Sequence, residues 1–321
     1  MIKASVSIVV PTHRRPEILA CALASVKSQT YVNWECVVIS DFPDEWSLVQ
    51  EIVESQRDSR FRFLKSATPG GNASRNLGIK MTQGDYVFFL DDDDLWLRNK
   101  VEEHIKAHKV SDFVFSSVIM KYECKDVYYL YRERAKVNHG SINSIRVFKW
   151  CPPTSSCVSL SRGLLREELW DETLKSYQDW DLWYRLLTIA KPYCINKPLV
   201  VFTHHSGERT SIGFDKRKDA LGRLRVKYPE IDGVIPNRVR MELLKSIGEC
   251  SHRKGVIAAF KYARFACRKY KIRLSFISII RSVITPRPPS ILGFVYSYIC
   301  ASIRFNRIVI SKDIDKMVGE R

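Results

Sequence analysis

Tyr86-Val87-Phe88-Phe89-Leu90 runs directly into Asp91-Asp92-Asp93-Asp94, and Leu95-Trp96 follow. The five-residue run, bounded by Gly84-Asp85, suits a strand covered on both faces, as in a parallel sheet. In open α/β sheets ligands bind at the carboxyl ends of such strands, which is where these four carboxylates fall. Adjacent like charges repel, and a hard divalent ion shared with a substrate's phosphates, Mg²⁺ or Mn²⁺, is one compensation. The alternative is a solvated acidic turn that caps the next helix.

Upstream, the chain alternates in the same way. Val6-Ser7-Ile8-Val9-Val10 is β-rich and ends in Pro11-Thr12-His13-Arg14-Arg15-Pro16, after which Ile18, Leu19, Ala22, Leu23 and Val26 recur at helical spacing. Glu35-Cys36-Val37-Val38-Ile39 reads as a second strand ending at Ser40-Asp41, with a helix through Leu48, Ile52 and Val53. Phe61-Arg62-Phe63-Leu64 reads as a third strand, and the loop Thr68-Pro69-Gly70-Gly71-Asn72 leads into a short helix over Ala73 to Ile79. This order predicts an α/β fold with a doubly wound, mostly parallel sheet.

Composition divides the chain. The net charge of +17 is uneven: residues 1–215 carry 28 Lys and Arg against 27 Asp and Glu, whereas 216–321 carry 24 against 8. The boundary near Asp215 predicts a catalytic part at 1–215 and a basic helical part at 216–321 that docks on something anionic. Nine cysteines without a Cys-x-x-Cys pair read as reduced, packed thiols, with no disulfide framework or zinc site. No apolar run reaches the roughly 18 residues of a spanning helix, and no signal peptide is read at the start, so a cytoplasmic protein is expected.

Several motifs in order carry a family resemblance. Val9-Val10-Pro11-Thr12, Ser25-Val26-Lys27-Ser28-Gln29-Thr30-Tyr31, Asn33-Trp34-Glu35, Ala73-Ser74-Arg75-Asn76-Leu77-Gly78, Phe89 to Asp94 and Tyr177 to Arg185 together resemble the family 2 nucleotide-sugar glycosyltransferases. The likeness covers roughly residues 5–211. It implies a GT-A fold, Rossmann-like, and an inverting, metal-dependent hexosyltransferase. The expected reaction moves sugar from a UDP-sugar to a hydroxyl of a saccharide or polyprenyl-linked saccharide acceptor, in O-antigen or capsule-type polysaccharide synthesis.

The resemblance also implies roles. Pro11 and Thr12 contact the nucleoside, with Arg14 beside them, and Asp41 accepts the uracil imide N–H, as an acceptor-only carboxylate can. Arg75 faces the base or the pyrophosphate, where a fork of donors suits anionic oxygens. Asp91 and Asp93 match the Asp-x-Asp that holds Mn²⁺ or Mg²⁺, Asp92 lies with the donor, and the ion neutralises the leaving diphosphate. Asp179 is the catalytic base, and the neighbouring Asp181 has a structural or acceptor-facing part. His205, or else His204, reaches the metal or diphosphate, and Arg209 closes on the diphosphate.

Three positions depart from the pattern. Ser40-Asp41-Phe42-Pro43-Asp44 replaces the usual Asp-Asp-Gly-Ser, Gln178 stands where Glu is common, and Leu169-Trp170-Asp171-Glu172 replaces Gly-Phe-Asp-Glu. In the tail, Leu243, Leu244 and Ile247 mark one helix and Val256 to Ala266 another, while Leu274–Ile284 and Ile291–Ile303 are apolar stretches flanking Pro286-Arg287-Pro288-Pro289. They read as interfacial helices at an anionic membrane surface, which would make the protein peripheral on the cytoplasmic face, or as a bundle packed on the catalytic part. Two other classes remain open. A sugar nucleotidyltransferase would carry a Gly-rich phosphate loop after the first strand, and Pro11 to Arg15 has no glycine. A nucleic-acid binder is suggested by charge alone, without a groove-reading module. No nucleic-acid partner is expected.

Overall fold

The computed structural model describes residues 5–122, 127–131, 154–166, 169–204, 214–284 and 305–309. The expected apolar stretch 291–303 and the proline-rich run before it lie outside them. By internal contacts the chain forms two compact units, one of residues 1–173, 178–205 and 307–321, the other of 174–177 and 206–306.

The first unit is built on a sheet. Strands β1 (Val6–Thr12), β2 (Trp34–Ser40), β3 (Phe61–Lys65) and β4 (Tyr86–Phe89) lie in the order β4-β1-β2-β3, all parallel. Every residue of β1 is buried, as is every residue of β2 except Glu35, the mark of strands covered on both faces. Helices α1 (Pro16–Lys27), α2 (Trp46–Glu54) and α3 (Gly71–Lys80) alternate with them. Pro16 opens α1 at a position whose N–H has no helical partner, and Leu19, Ala22, Leu23 and Val26 form its buried stripe. Gly78 lets α3 lie flat on the sheet, since a Cβ there would stand 2.4 Å from Val9 Cγ1 and 3.0 Å from Ile39 Cδ1.

Beyond β4 the sheet changes direction, which the sequence reading did not anticipate. Strand β8 (Val158–Ser161) pairs antiparallel with both β4 and β6 (Phe113–Tyr122), and β6 pairs antiparallel with β7 (Val127–Tyr131). Strand β9 (Pro192–His204) runs parallel to β6 and takes the two-residue β5 (Leu95–Trp96) antiparallel at its far side. Helices α4 (Lys100–Ala107) and α5 (Gln178–Ile189) complete this half. The fold is α/β and Rossmann-like, with its parallel part confined to β1–β4 and the β6–β9 pair among the described residues.

The second unit is helical: α6 (Phe214–Lys227), α7 (Ile235–Lys254), α8 (Val256–Tyr270) and α9 (Phe276–Ile284). Phe214, Leu243, Ile247, Ala259, Ala263, Ala266 and Val283 form its core. A buried carboxylate, Glu242, ties its helices through Arg238 (3.1 Å), Lys245 (2.9 Å) and Arg217 (3.3 Å).

An unforeseen polar group supports the sheet half. Lys100 is fully buried, its Nζ over the rings of Phe88 (5.3 Å) and Trp96 (5.0 Å) and 3.0 Å from His104 Nε2. The Ser159 hydroxyl on β8 joins His104 Nδ1 (2.7 Å) and His108 Nε2 (2.8 Å). Burial pushes Lys100 down to about 7, with Cys157 acting the other way. Burial also holds His104 well below its usual range and takes His108 down to about 4. Unfolded lysine titrates near 10.4, so between pH 7 and 9 the unfolded chain binds more protons here and stability rises with pH. In urea unfolding, Lys100→Met should remove up to about 2 kcal/mol of the gain between those two pH values. The same pH dependence in both proteins would mean that Lys100 folds charged.

Candidate active site

The parallel strands end along one rim. β1 finishes at Thr12, β2 at Ser40 with Asp41 next, and β4 at Phe89, where the Leu90 N–H still donates to the Val9 carbonyl before the chain turns into Asp91–Asp94. The four acidic side chains alternate. Asp92 and Asp94 are buried at 1% and 0% exposure, while the side chains of Asp91 and Asp93 keep 24% and 16%.

Each carboxylate is held from a different element. The Thr12 hydroxyl donates to Asp92 Oδ2 at 2.8 Å, and Arg15 straddles the turn, with Nη2 2.7 Å from Asp92 Oδ1 and Nη1 2.6 Å from Asp93 Oδ2. Arg75, on α3, places Nη2 2.5 Å from Asp91 Oδ1. A hydroxyl turn before β8 closes the far side: Ser155 Oγ lies 3.0 Å from Asp91 Oδ2, Thr154 Oγ1 3.1 Å from Asp94 Oδ2, and the Asp91 N–H donates to Ser156 Oγ at 3.0 Å. The Thr203 N–H, on β9, donates to Asp94 Oδ1 at 3.1 Å. Burial raises Asp92 to about 7, Arg15 opposing it and Asp93 adding to it. Burial also raises Asp94 well above the carboxylate range, with Asp93 and Asp91 adding to it. The inner pair thus sheds part of its charge, while Asp91 and Asp93 face outward with arginines as counter-ions.

Beside the turn is the corner formed by Asp41. It is buried, with Oδ1 2.6 Å from His13 Nδ1 and Oδ2 accepting the Gly70 N–H at 2.5 Å. Gly70 has φ +117°, a conformation that suits glycine and turns its N–H toward Asp41. The departure at Phe42 now has a structural meaning: its ring meets His13 edge-on at 5.5 Å and carries the Arg14 guanidinium at 4.4 Å. Arg14 therefore lies on Phe42, and the arginine that reaches the acidic turn is its neighbour Arg15, which the sequence reading passed over. The signal was its place before Pro16, since a residue preceding proline is kept out of the helix. Pro11 is buried at the end of β1.

Arg75 joins this corner to the second acidic group. Its guanidinium lies 4.8 Å over the Trp170 ring, and its Nε is buried without a hydrogen-bond partner. Asn76, another residue missed from sequence, clamps the Trp170 segment: Nδ2 donates to the Trp170 carbonyl (2.9 Å) and Glu172 Oε1 (2.8 Å), and Oδ1 accepts the Trp170 N–H (3.0 Å). Asp179 is the second residue of α5, partly exposed, with Oδ1 accepting the Trp180 N–H at 2.9 Å. Burial raises it to about 6, Arg75 pulling it down and Asp91 pushing it up. Asp181 is fully buried and paired with Arg185 at 2.9 Å, whose Nη2 also donates to the Leu169 carbonyl. His205 and Arg209 lie outside the described residues.

The site thus brings together Thr12, Asp41, Arg75, Asp91–Asp94 and Asp179. Among the described residues, no three or more His, Cys, Asp or Glu side chains form a metal cage. Two partly exposed carboxylates, Asp91 and Asp93, offer hard oxygen donors. That donor set fits Mg²⁺ or Mn²⁺, which commonly bind one or two carboxylates plus substrate phosphates.

Comparison with known proteins bears on this geometry. An uncharacterized glycosyltransferase of Rickettsia bellii is 32% identical over 183 residues, 56% of this chain and 26% of the relative, so the chain spans about a quarter of that protein's length. The Escherichia coli UDP-Glc:alpha-D-GlcNAc-diphosphoundecaprenol beta-1,3-glucosyltransferase WfaP is 26% identical over 263 residues, covering 80% of this chain and 92% of the relative. Two solved structures share the fold at low identity. S. aureus TarS 1–349 with UDP-GlcNAc has a TM-score of 0.54 at 17% identity, over 88% of this chain and 82% of that one. The mannosyltransferase PcManGT from Pyrobaculum calidifontis, with GDP-Man and Mn²⁺, has 0.53 at 14%, over 94% and 88%. The sequence profile described as glycosyl transferase family 2 matches residues 7–172, which run from Ser7 in β1 through β4 and include Arg15, Arg75 and the whole acidic turn. With more than half of its length inside that profile, the chain belongs to glycosyl transferase family 2.

Proposed function

We propose that this chain is an inverting, divalent-metal-dependent glycosyltransferase that moves a sugar from a UDP-sugar to a hydroxyl of a lipid-linked saccharide, in the synthesis of a cell-surface polysaccharide. The observation that carries the reading is the pairing of Arg75 with the outward-facing acid of the turn, Asp91, at 2.5 Å, within electrostatic reach of a second carboxylate, Asp179, that opens α5. The name of the WfaP relative supports the UDP donor and the lipid-diphosphate acceptor. The Mn²⁺ complex of the PcManGT neighbour supports the metal.

Asp91 and Asp93 would hold the ion, which when bound supplies positive charge to the departing diphosphate. The chain's own residues do the rest. Asp41 accepts the imide N–H of uracil, its lone pairs not being exhausted by His13 and Gly70. Pro11 and Thr12 border the nucleoside, and Arg14 stacked on Phe42 walls it. Arg75 and Arg15 offer guanidinium donors to diphosphate oxygens. Asp92 keeps Arg15 in place, while His205 and Arg209 are assigned by family resemblance to the metal and the diphosphate.

Asp179 takes the proton from the acceptor hydroxyl as its oxygen attacks the anomeric carbon. The bond from that carbon to the diphosphate oxygen breaks, UDP leaves with the electron pair, and attack from the opposite side inverts the configuration. We place this work at an anionic membrane surface on the cytoplasmic side.

The direct test is release of UDP from a panel of UDP-sugars with Mn²⁺ or Mg²⁺. The native protein should release UDP only with metal, and a folded Asp93→Ala should not. Pyrophosphate release from UTP and a sugar phosphate would replace the reading with nucleotidyl transfer.

The base assignment has its own signature. Asp179 must be ionised to accept a proton, so kcat/KM should fall as pH drops through about 6. Asp179→Asn should slow transfer by about 10²–10⁴-fold with near-normal donor binding, and lose that acid limb. Transfer within a few-fold of the native rate would move the base elsewhere.

A further inference from the structure

Among the described residues, the second unit presents an exposed surface along α8 and the start of α9. The inner face of α8 is made of small residues, Ala259, Ala263 and Ala266, all buried in the unit's core. The opposite face carries Ile257, Lys261, Arg264, Phe265 and Arg268, exposed residues at the spacing of a single helical stripe. Ile257 is 75% exposed and Phe265 59%, while Phe276 and Ile277 at the start of α9 are 67% and 63% exposed. The ring of Phe276 lies 6.1 Å from that of Phe260, which ties these apolar residues to the flank of α8.

Charge says what should cover this surface. Residues 250–312 contain thirteen Lys and Arg and no Asp or Glu. The apolar stretch 291–303 of the same chain has no acid to offer the stripe, and its neighbours Arg287, Arg304 and Arg307 would be repelled by it. A soluble partner domain would have to meet cations and bare aliphatics in alternation. A bilayer with anionic headgroups meets both at once, phosphates against guanidinium and ammonium groups and acyl chains against Ile257, Phe265 and Phe276.

We propose that the exposed stripe of α8, with the start of α9, is a docking surface for an anionic phospholipid bilayer. It deepens the membrane part of the function proposed above and is independent of the transfer chemistry. Each cation near such a surface adds several-fold to partitioning, and the apolar insertion adds a component that salt does not screen.

The test uses the full chain and sedimentation with phosphatidylglycerol-containing or pure phosphatidylcholine vesicles, alongside metal-dependent UDP release measured without vesicles. The native chain should bind the anionic vesicles and keep part of that binding at high salt. The triple variant Lys261→Gln, Arg264→Gln, Arg268→Gln should lose about 100-fold in partitioning. Ile257→Ser with Phe265→Ser should still bind at low salt and release at high salt. Both variants should turn over donor normally in solution, so a failure of docking and a failure of the enzymatic reading are seen separately. A native chain that ignores anionic vesicles at low salt, or that instead binds nucleic acid, would overturn the proposal. So would variants that bind vesicles as the native chain does.

Discussion

Four consecutive carboxylates at the mouth of a buried strand set the terms for the rest of the sheet unit. They cannot all be ionised and desolvated together, and the fold answers in two ways. Asp92 and Asp94 turn inward, where burial pushes both toward their neutral forms. Asp91 and Asp93 turn outward against Arg75 and Arg15. Each counter-ion comes from a different segment, so the turn pins the β1–α1 loop, the start of α3, the Thr154–Ser156 turn and β9 into one arrangement.

That arrangement explains which parts of the molecule were legible in its sequence. β1, β2 and β4 are largely buried and are written as predominantly apolar runs, and α1 shows its apolar stripe plainly, so the parallel half was legible from strand–helix alternation. The antiparallel half did not. β8 is Val158-Ser159-Leu160-Ser161, whose polar positions are buried because Ser159 serves His104 and His108, and such a strand looks like a loop. Of the site residues, the acids stood out because their repulsion demands an explanation. Arg15 and the hydroxyls of Thr154 to Ser156 did not, since their purpose exists only once the fold brings them to the carboxylates. The choice of Arg14 over Arg15 shows the limit: adjacent identical side chains differ only by the backbone that aims them.

The charge division in the sequence has a physical counterpart. The sheet unit spends its charges on internal pairs, with Arg15, Arg75 and Arg185 each opposite an aspartate. The helical unit pairs some of its charge at Glu242 and Asp215, yet beyond residue 249 it has no acid before Asp313, so the cations of α8 have nothing nearby in sequence to neutralise them. Excess positive charge thus falls on residues 216–321 and near balance on residues 1–215.

If Arg15 is a built-in cation for the acidic turn, it competes with a divalent ion for Asp93. The most direct measurement is the Mn²⁺ affinity of the full chain without nucleotide, read by electron paramagnetic resonance, for the native protein and Arg15→Gln. The account predicts tighter Mn²⁺ binding in the variant, because a competing charge has been removed from carboxylates that stay in place. Unchanged or weaker binding in a folded Arg15→Gln protein would contradict it, and would mean that the turn is not where the metal is held.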